Sequence, residues 1–97
     1  MKIYDFLDTI IYEDDSITMK ETVENAVKKC VSLQNANLEN VDLTYTNLRC
    51  ICLRHANLKG ADLRGADLER TDLRFANLEG ANLEGAKMFN GYVLKRE

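Results

Sequence analysis

Ala61-Asp62-Leu63-Arg64-Gly65 returns twenty positions later as Ala81-Asn82-Leu83-Glu84-Gly85. The same five-residue frame extends outward from both. Leucine recurs at Leu33, Leu38, Leu43, Leu48, Leu53, Leu58, Leu63, Leu68, Leu73, Leu78 and Leu83, and Met88 takes the next slot. Two residues before each stands a small or β-branched residue, from Val31 and Ala36 through Ile51 to Ala86. Between the two, the chain carries Asp or Asn almost throughout.

A period of five suits neither regular element. On an α-helix five residues advance about 500°, so successive leucines would fall about 140° apart. On a strand side chains alternate, and an odd period sends successive leucines to opposite faces. Only a chain that turns once per five residues points every leucine inward. Four such turns close a square, each coil takes twenty residues, and coils stack at about 4.8 Å. Leucine then fills the axis and the small residue sits inside near the corner. The other three positions face water and are polar, as in Asn37, Glu39 and Asn40. Gly60, Gly65, Gly80 and Gly85 stand at the corner two residues after leucine, where a type II turn needs positive φ. Tyr45, Cys50, His55, Arg70 and Phe75 occupy the same position, and there a different turn is expected.

These units resemble the pentapeptide-repeat family, whose pattern is roughly A(D/N)LXX. The resemblance covers residues 31–90, twelve consecutive units, with Cys52 and Lys87 replacing the Asp or Asn. It implies an all-β solenoid, a right-handed quadrilateral β-helix of about three coils, roughly 14 Å long at the strand spacing.

Ninety-seven residues make one domain. There is no apolar run long enough for a membrane span. The start, Met1-Lys2-Ile3-Tyr4-Asp5-Phe6, lacks the apolar core of a signal peptide. Three cysteines without an export signal suggest a reducing, cytoplasmic location. Charge divides unevenly. Residues 1–30 hold four Lys/Arg and seven Asp/Glu, a net of −3, whereas residues 31–97 hold nine of each. The acidic excess therefore lies ahead of the repeats.

Solenoids need caps. Residues 1–30 read as an N-terminal capping segment, and residues 31–94 as the β-helix with its C-terminal tail. Thr18 and Glu21 form a capping-box pattern. Met19, Val23, Ala26, Val27 and Cys30 follow at helical spacing, predicting a helix over 19–29. Lys28 and Lys29 suit its negative end. Ahead of it, residues 9–13 are β-branched and aromatic and suggest a short strand, while Ile3, Phe6, Leu7, Ile10 and Ile11 also fit a helix face. Glu13-Asp14-Asp15-Ser16 reads as a turn. Similar leaders precede short rods in some bacterial and phage-associated members of the family. At the other end Met88, Phe89, Tyr92, Val93 and Leu94 form an apolar cluster. It either folds over the open end of its own rod or serves as a self-association patch for an isologous homodimer, as the family resemblance implies.

Residues twenty apart share a column. Glu39, Lys59 and Glu79 alternate in sign beside an amide ladder of Asn37, Asn57 and Asn77. Arg54 stacks over Arg74, with His55 and Phe75 alongside. Like charges so placed repel unless an anion, Asp72 or a partner's carboxylate or phosphate, sits there; Arg54, His55 and Arg74 are therefore the candidate anion or partner wall, with a solvated, screened wall as the alternative. Cys30 and Cys50 are also twenty apart, with Cys52 and His55 nearby. Free thiols are the favoured reading over a disulfide or a zinc site, since Cys50-Ile51-Cys52 lacks the usual metal-ligand gap.

One histidine and a filled interior offer no catalytic arrangement, no metal site and no cofactor site. A neutral rod argues against direct nucleic-acid binding. The expectation is a non-enzymatic protein-interaction module whose partner is another protein. The alternative comes from the resemblance: some members of the family mimic duplex DNA and modulate DNA gyrase, a type II topoisomerase. That role suits a long, strongly negative rod, unlike this short and neutral one.

Overall fold

The computed structural model describes residues 1–88. Strand β1 (Lys2–Tyr4) and strand β2 (Ile10–Glu13) form an antiparallel hairpin, and helix α1 (Met19–Lys28) follows. From Val31 onward the chain winds so that residues twenty apart lie side by side. Parallel bridges join Asn37 to Asn57 to Asn77, Asp42 to Asp62 to Asn82, Asn47 to Asp67 to Lys87, and Cys52 to Asp72. The bridges are single because each wall offers only three residues before the chain turns.

Every backbone N–H of the unit 57–61 has its own acceptor, and the accounting explains the repeat. Leu58 N donates to Asn77 O one coil on, at 2.8 Å, and Gly60 N donates to Glu79 O at 2.8 Å. Asn57 N donates backward to Ala36 O at 2.8 Å. Ala61 N closes the corner on Leu58 O at 3.0 Å. That leaves the residue after leucine. Its N–H is taken by the Asp or Asn side chain two residues before it: Lys59 N to Asn57 Oδ1 (3.1 Å), Arg64 N to Asp62 Oδ1 (3.2 Å), Glu79 N to Asn77 Oδ1 (3.0 Å). A short side chain with a carbonyl-like oxygen is what such a local bond needs. Ser32 Oγ serves Gln34 N in the same way at 3.2 Å.

The corners correct the sequence expectation. Tyr45, Cys50, His55, Arg70 and Phe75 have φ of 59–63°, beside 68–73° at the four glycines. The N–H of the next unit's first residue bonds back to the leucine carbonyl at each of these corners, as at the glycines. One turn therefore serves glycine and non-glycine alike. The ladder on either side fixes the corner, and the side chain bears the strain.

Leu33 to Leu68 are all fully buried on the axis, with Ala36, Ala56, Ala61 and Ala66 beside them. Thr46 is buried at a small-residue position, its hydroxyl donating to Leu43 O at 2.6 Å. Leu73, Ala76, Leu78 and Met88 are only partly buried.

The leader joins the same core. Thr18 is the N-cap of α1, its Oγ1 accepting from Glu21 N at 3.2 Å. Val23 and Ala26 are buried against the coils, whereas Cys30 is exposed and leaves the predicted stripe. It does so because the helix ends one residue short of the predicted 29, with Cys30 at φ 57°. Cys30 N reaches Val27 O and Val31 N reaches Ala26 O, both at 2.9 Å, which is a Schellman ending. The expected strand over residues 9–13 is present as β2, and β1 pairs with it to make a hairpin, so the helix-face alternative is excluded. Ile3 is buried on its inner side, and Asn37 N donates to Tyr4 O at 2.7 Å, tying β1 to the first coil.

Candidate functional site

The wall singled out in the sequence is assembled by adjacent coils. Arg74 grips Asp72 with two bonds, Nε to Oδ1 at 2.9 Å and Nη2 to Oδ2 at 2.8 Å. Arg54 comes in from the coil before, its Nε 3.8 Å from Asp72 Oδ2. That counts as a Coulombic pair but is too long for a hydrogen bond, and Arg54 Nε has no hydrogen-bond partner among the described residues. The Asp72 carboxyl is held down at about 2, first by the Arg74 side-chain bonds, then by the Arg74 N–H and both guanidinium charges, against the cost of desolvation. At the adjoining corner His55 and Phe75 stack, ring centroids 5.0 Å apart and planes inclined by 12°. The structure thus brings Arg54, His55 and Arg74 together and supplies an anion, Asp72, to the two arginines from within.

The other walls are likewise paired. Arg64 grips Asp62 through Nε at 2.8 Å and Nη2 at 2.6 Å, and Arg49 meets Glu69 at 3.1 Å and Asp67 at 3.7 Å. Lys59 faces Glu79 at 3.9 Å, and Asn57 Nδ2 donates to Glu39 Oε1 at 3.1 Å. Such exposed pairs contribute only about 0–1 kcal/mol each. Their effect is on the field: opposite charges alternate on neighbouring coils, and the described repeats together hold seven Lys/Arg against eight Asp/Glu.

The remaining sequence candidates divide. Met88 is half-buried against the core, while Phe89, Tyr92, Val93 and Leu94 lie outside the described residues. Cys30, Cys50 and Cys52 are free thiols lining one groove with Val27, Ser32, Arg49 and Ile51. Cys52 Sγ lies 4.0 Å from Gln34 Oε1. Among the described residues no group of three or more His, Cys, Asp or Glu is placed to hold a metal ion, and no helix is long and apolar enough to cross a membrane.

Sequence reasoning missed the surface of the leader hairpin. Tyr4, Phe6, Leu7 and Ile10 project outward there, with Leu7 86% and Phe6 53% exposed. The alternative helix reading groups Phe6 and Leu7 with Ile3, Ile10 and Ile11 on one face. The signal against that was Asp5 and Asp8-Thr9, turn formers flanking the pair.

A family model described as pentapeptide repeats matches this chain in eight copies, over residues 31–60 and 51–88. Among solved structures, a pentapeptide repeat protein from the cyanobacterium Cyanothece 51142 is 36% identical, with a TM-score of 0.60. The match covers 66% of this chain and 44% of that one, so the chain spans less than half of that relative. Another from Nostoc PCC 7120 is 31% identical over 82% of this chain and 88% of its own, with a TM-score of 0.37. Comparison with curated proteins gives no match.

Proposed function

Because this chain belongs to the pentapeptide-repeat family, whose fold is a β-helical solenoid, we propose that it is a non-enzymatic protein-interaction module. In this reading residues 31–94 form a right-handed quadrilateral β-helix of about three coils, and residues 1–30 cap its first coil. The observation that carries the proposal is where the functional groups lie. The axis is filled by leucine, so chemistry is confined to the outside. Four of the five arginines among the described residues, Arg49, Arg54, Arg64 and Arg74, already have carboxylate partners, which leaves recognition surfaces rather than reactive ones. The acidic excess and, among the described residues, most of the exposed large apolar side chains lie on the leader.

Self-association through Met88, Phe89, Tyr92, Val93 and Leu94 is part of the same proposal. Mimicry of duplex DNA is not favoured: the described repeats hold seven Lys/Arg against eight Asp/Glu, a nearly neutral rod. The test is capture from cell lysate on immobilised protein, competed with free protein and analysed by mass spectrometry. A single competed protein supports the module. Competed type II topoisomerase subunits would shift the reading to mimicry, and no competed protein from any lysate would overturn both.

A further inference from the structure

We propose that the outer face and free edge of the β1–β2 hairpin form a docking site for an extended, basic peptide segment of another protein, added as a strand to β2. This rests on the interaction-module reading and gives it a surface and a partner chemistry.

Eight large apolar side chains are markedly exposed among the described residues, and six of them, Met1, Tyr4, Phe6, Leu7, Ile10 and Ile17, fall within residues 1–17. Four make one patch. Tyr4 and Ile10 are cross-strand partners on the outer face, and Phe6 and Leu7 crown the loop that joins the strands. The loop is held, not loose. Asp5 Oδ1 accepts from Leu7 N at 2.8 Å and from Thr9 N at 2.9 Å, and Asp5 N donates to Thr9 O at 2.9 Å. A fixed loop that holds Leu7 in water loses little further freedom on binding.

The edge is equally specific. β1 uses one side for β2 and the other for the first coil, through Asn37 N to Tyr4 O and the Asp5–Ala36 bridge. β2 is therefore the outer strand, and among the described residues no strand pairs with its far edge. An open edge beside an apolar patch is a template for strand addition.

Charge selects the partner. Residues 1–17 carry one Lys and five Asp/Glu. Asp14 is turned to Asn25 and Thr22, and Asp5 holds the loop, which leaves Asp8, Glu13 and Asp15 to set the field. Lys2 lies opposite Glu13, and Lys29 sits over the Tyr12 ring, 5.8 Å from its centroid. An acidic rim around an apolar centre attracts a cationic segment and repels nucleic acid and anionic bilayers alike.

The probe is an end-blocked, fluorescein-labelled Lys-Val-Lys-Ile-Lys-Val-Lys peptide, compared with Glu-Val-Glu-Ile-Glu-Val-Glu by fluorescence anisotropy. The basic peptide should bind at least about tenfold more tightly. Hydrogen exchange should slow at the amides of Ile10–Glu13. Leu7→Lys should weaken binding by about tenfold with the thermal midpoint unchanged, because Leu7 has little packing to lose. Equal binding of both peptides, protection confined to the repeats, or undiminished binding by Leu7→Lys would overturn the site. So would binding to phosphatidylserine vesicles that Leu7→Lys abolishes. A lysate partner captured equally well by Leu7→Lys sinks this site and leaves the module standing. Peptide binding at the hairpin without any competed lysate partner does the reverse.

Discussion

Phe75 lies on the imidazole of His55 one coil away, and both residues hold left-handed backbone, at φ 63° and 61°. The stack and the strain share one cause. The square coil demands positive φ at every corner, and stacking places like corners over one another. A non-glycine residue there costs roughly 1–2 kcal/mol. An aromatic pair recovers about 0.5–1.5 kcal/mol of it.

Corners without such a neighbour should therefore gain from glycine. Arg70, exposed at φ 60°, is the clearest case. Arg70→Gly should stabilise by about 0.5–1 kcal/mol, the relieved strain less the greater chain entropy of glycine. Phe75→Gly should be neutral or destabilising by up to about 1 kcal/mol, since it forfeits the stack. Urea denaturation of both variants checks this, and a larger gain at Phe75 than at Arg70 contradicts it.

The Asp/Asn position makes a second distinction. Asn77 Oδ1 accepts from Glu79 N at 3.0 Å. Asn77→Ala removes that acceptor and should cost about 0.5–1.5 kcal/mol. Asn77→Asp keeps it and should stay within about 0.5 kcal/mol. Equal stabilities for the two variants would remove the side-chain acceptor from the explanation of the repeat.

Leu63 tests the axis. It is fully buried. Leu63→Ala should cost about 2–5 kcal/mol, and Leu63→Asp should unfold the chain by placing an unpaired charge inside. Far-ultraviolet circular dichroism decides, and a folded Leu63→Asp protein would refute the inward assignment.

If Phe89 and Val93 join two copies, Phe89→Glu with Val93→Glu should give monomers. Light scattering measures this directly, and an unchanged mass for a dimeric parent would exclude that patch.

The period of five made the rod readable, because only one geometry points Leu33 through Leu83 to a common side. What periodicity could not convey was local bonding. The Asp/Asn preference looked like simple solvent exposure, although Asn57 and Asp62 complete the backbone accounting. The corner at His55 seemed to need another turn because its residue type disfavours positive φ, yet the coil imposes that conformation. The leader has no repeat to guide it. Ile3, Phe6 and Leu7 are equally apolar in sequence, and only the hairpin separates the buried Ile3 from the exposed pair. At the wall, Arg54 and Arg74 were legible as a column, but the two-bond grip of Arg74 on Asp72 depends on side-chain geometry.

That grip has a pH signature. Asp72 drops from an ordinary value of 3.8 to about 2 in the folded chain, mainly through the Arg74 bonds, and Asp14 is also lowered, mainly through Asn25. A carboxyl depressed by folding stabilises the native state above its unfolded pKa, and that contribution disappears as pH falls through the folded value. Stability should therefore be level down to about pH 4–5 and decline between pH 4 and 2. Carboxyl-carbon NMR titration should place Asp72 near 2 in the parent chain. In Arg74→Gln it should move back toward the ordinary value, while the Asp14 titration stays where it was. Arg54 alone, 3.8 Å away with no hydrogen bond, should not hold Asp72 down to the same extent. An Asp72 titration unmoved by Arg74→Gln would take the Arg74 side chain out of the explanation and leave the depression to the backbone N–H of residue 74 and to Arg54.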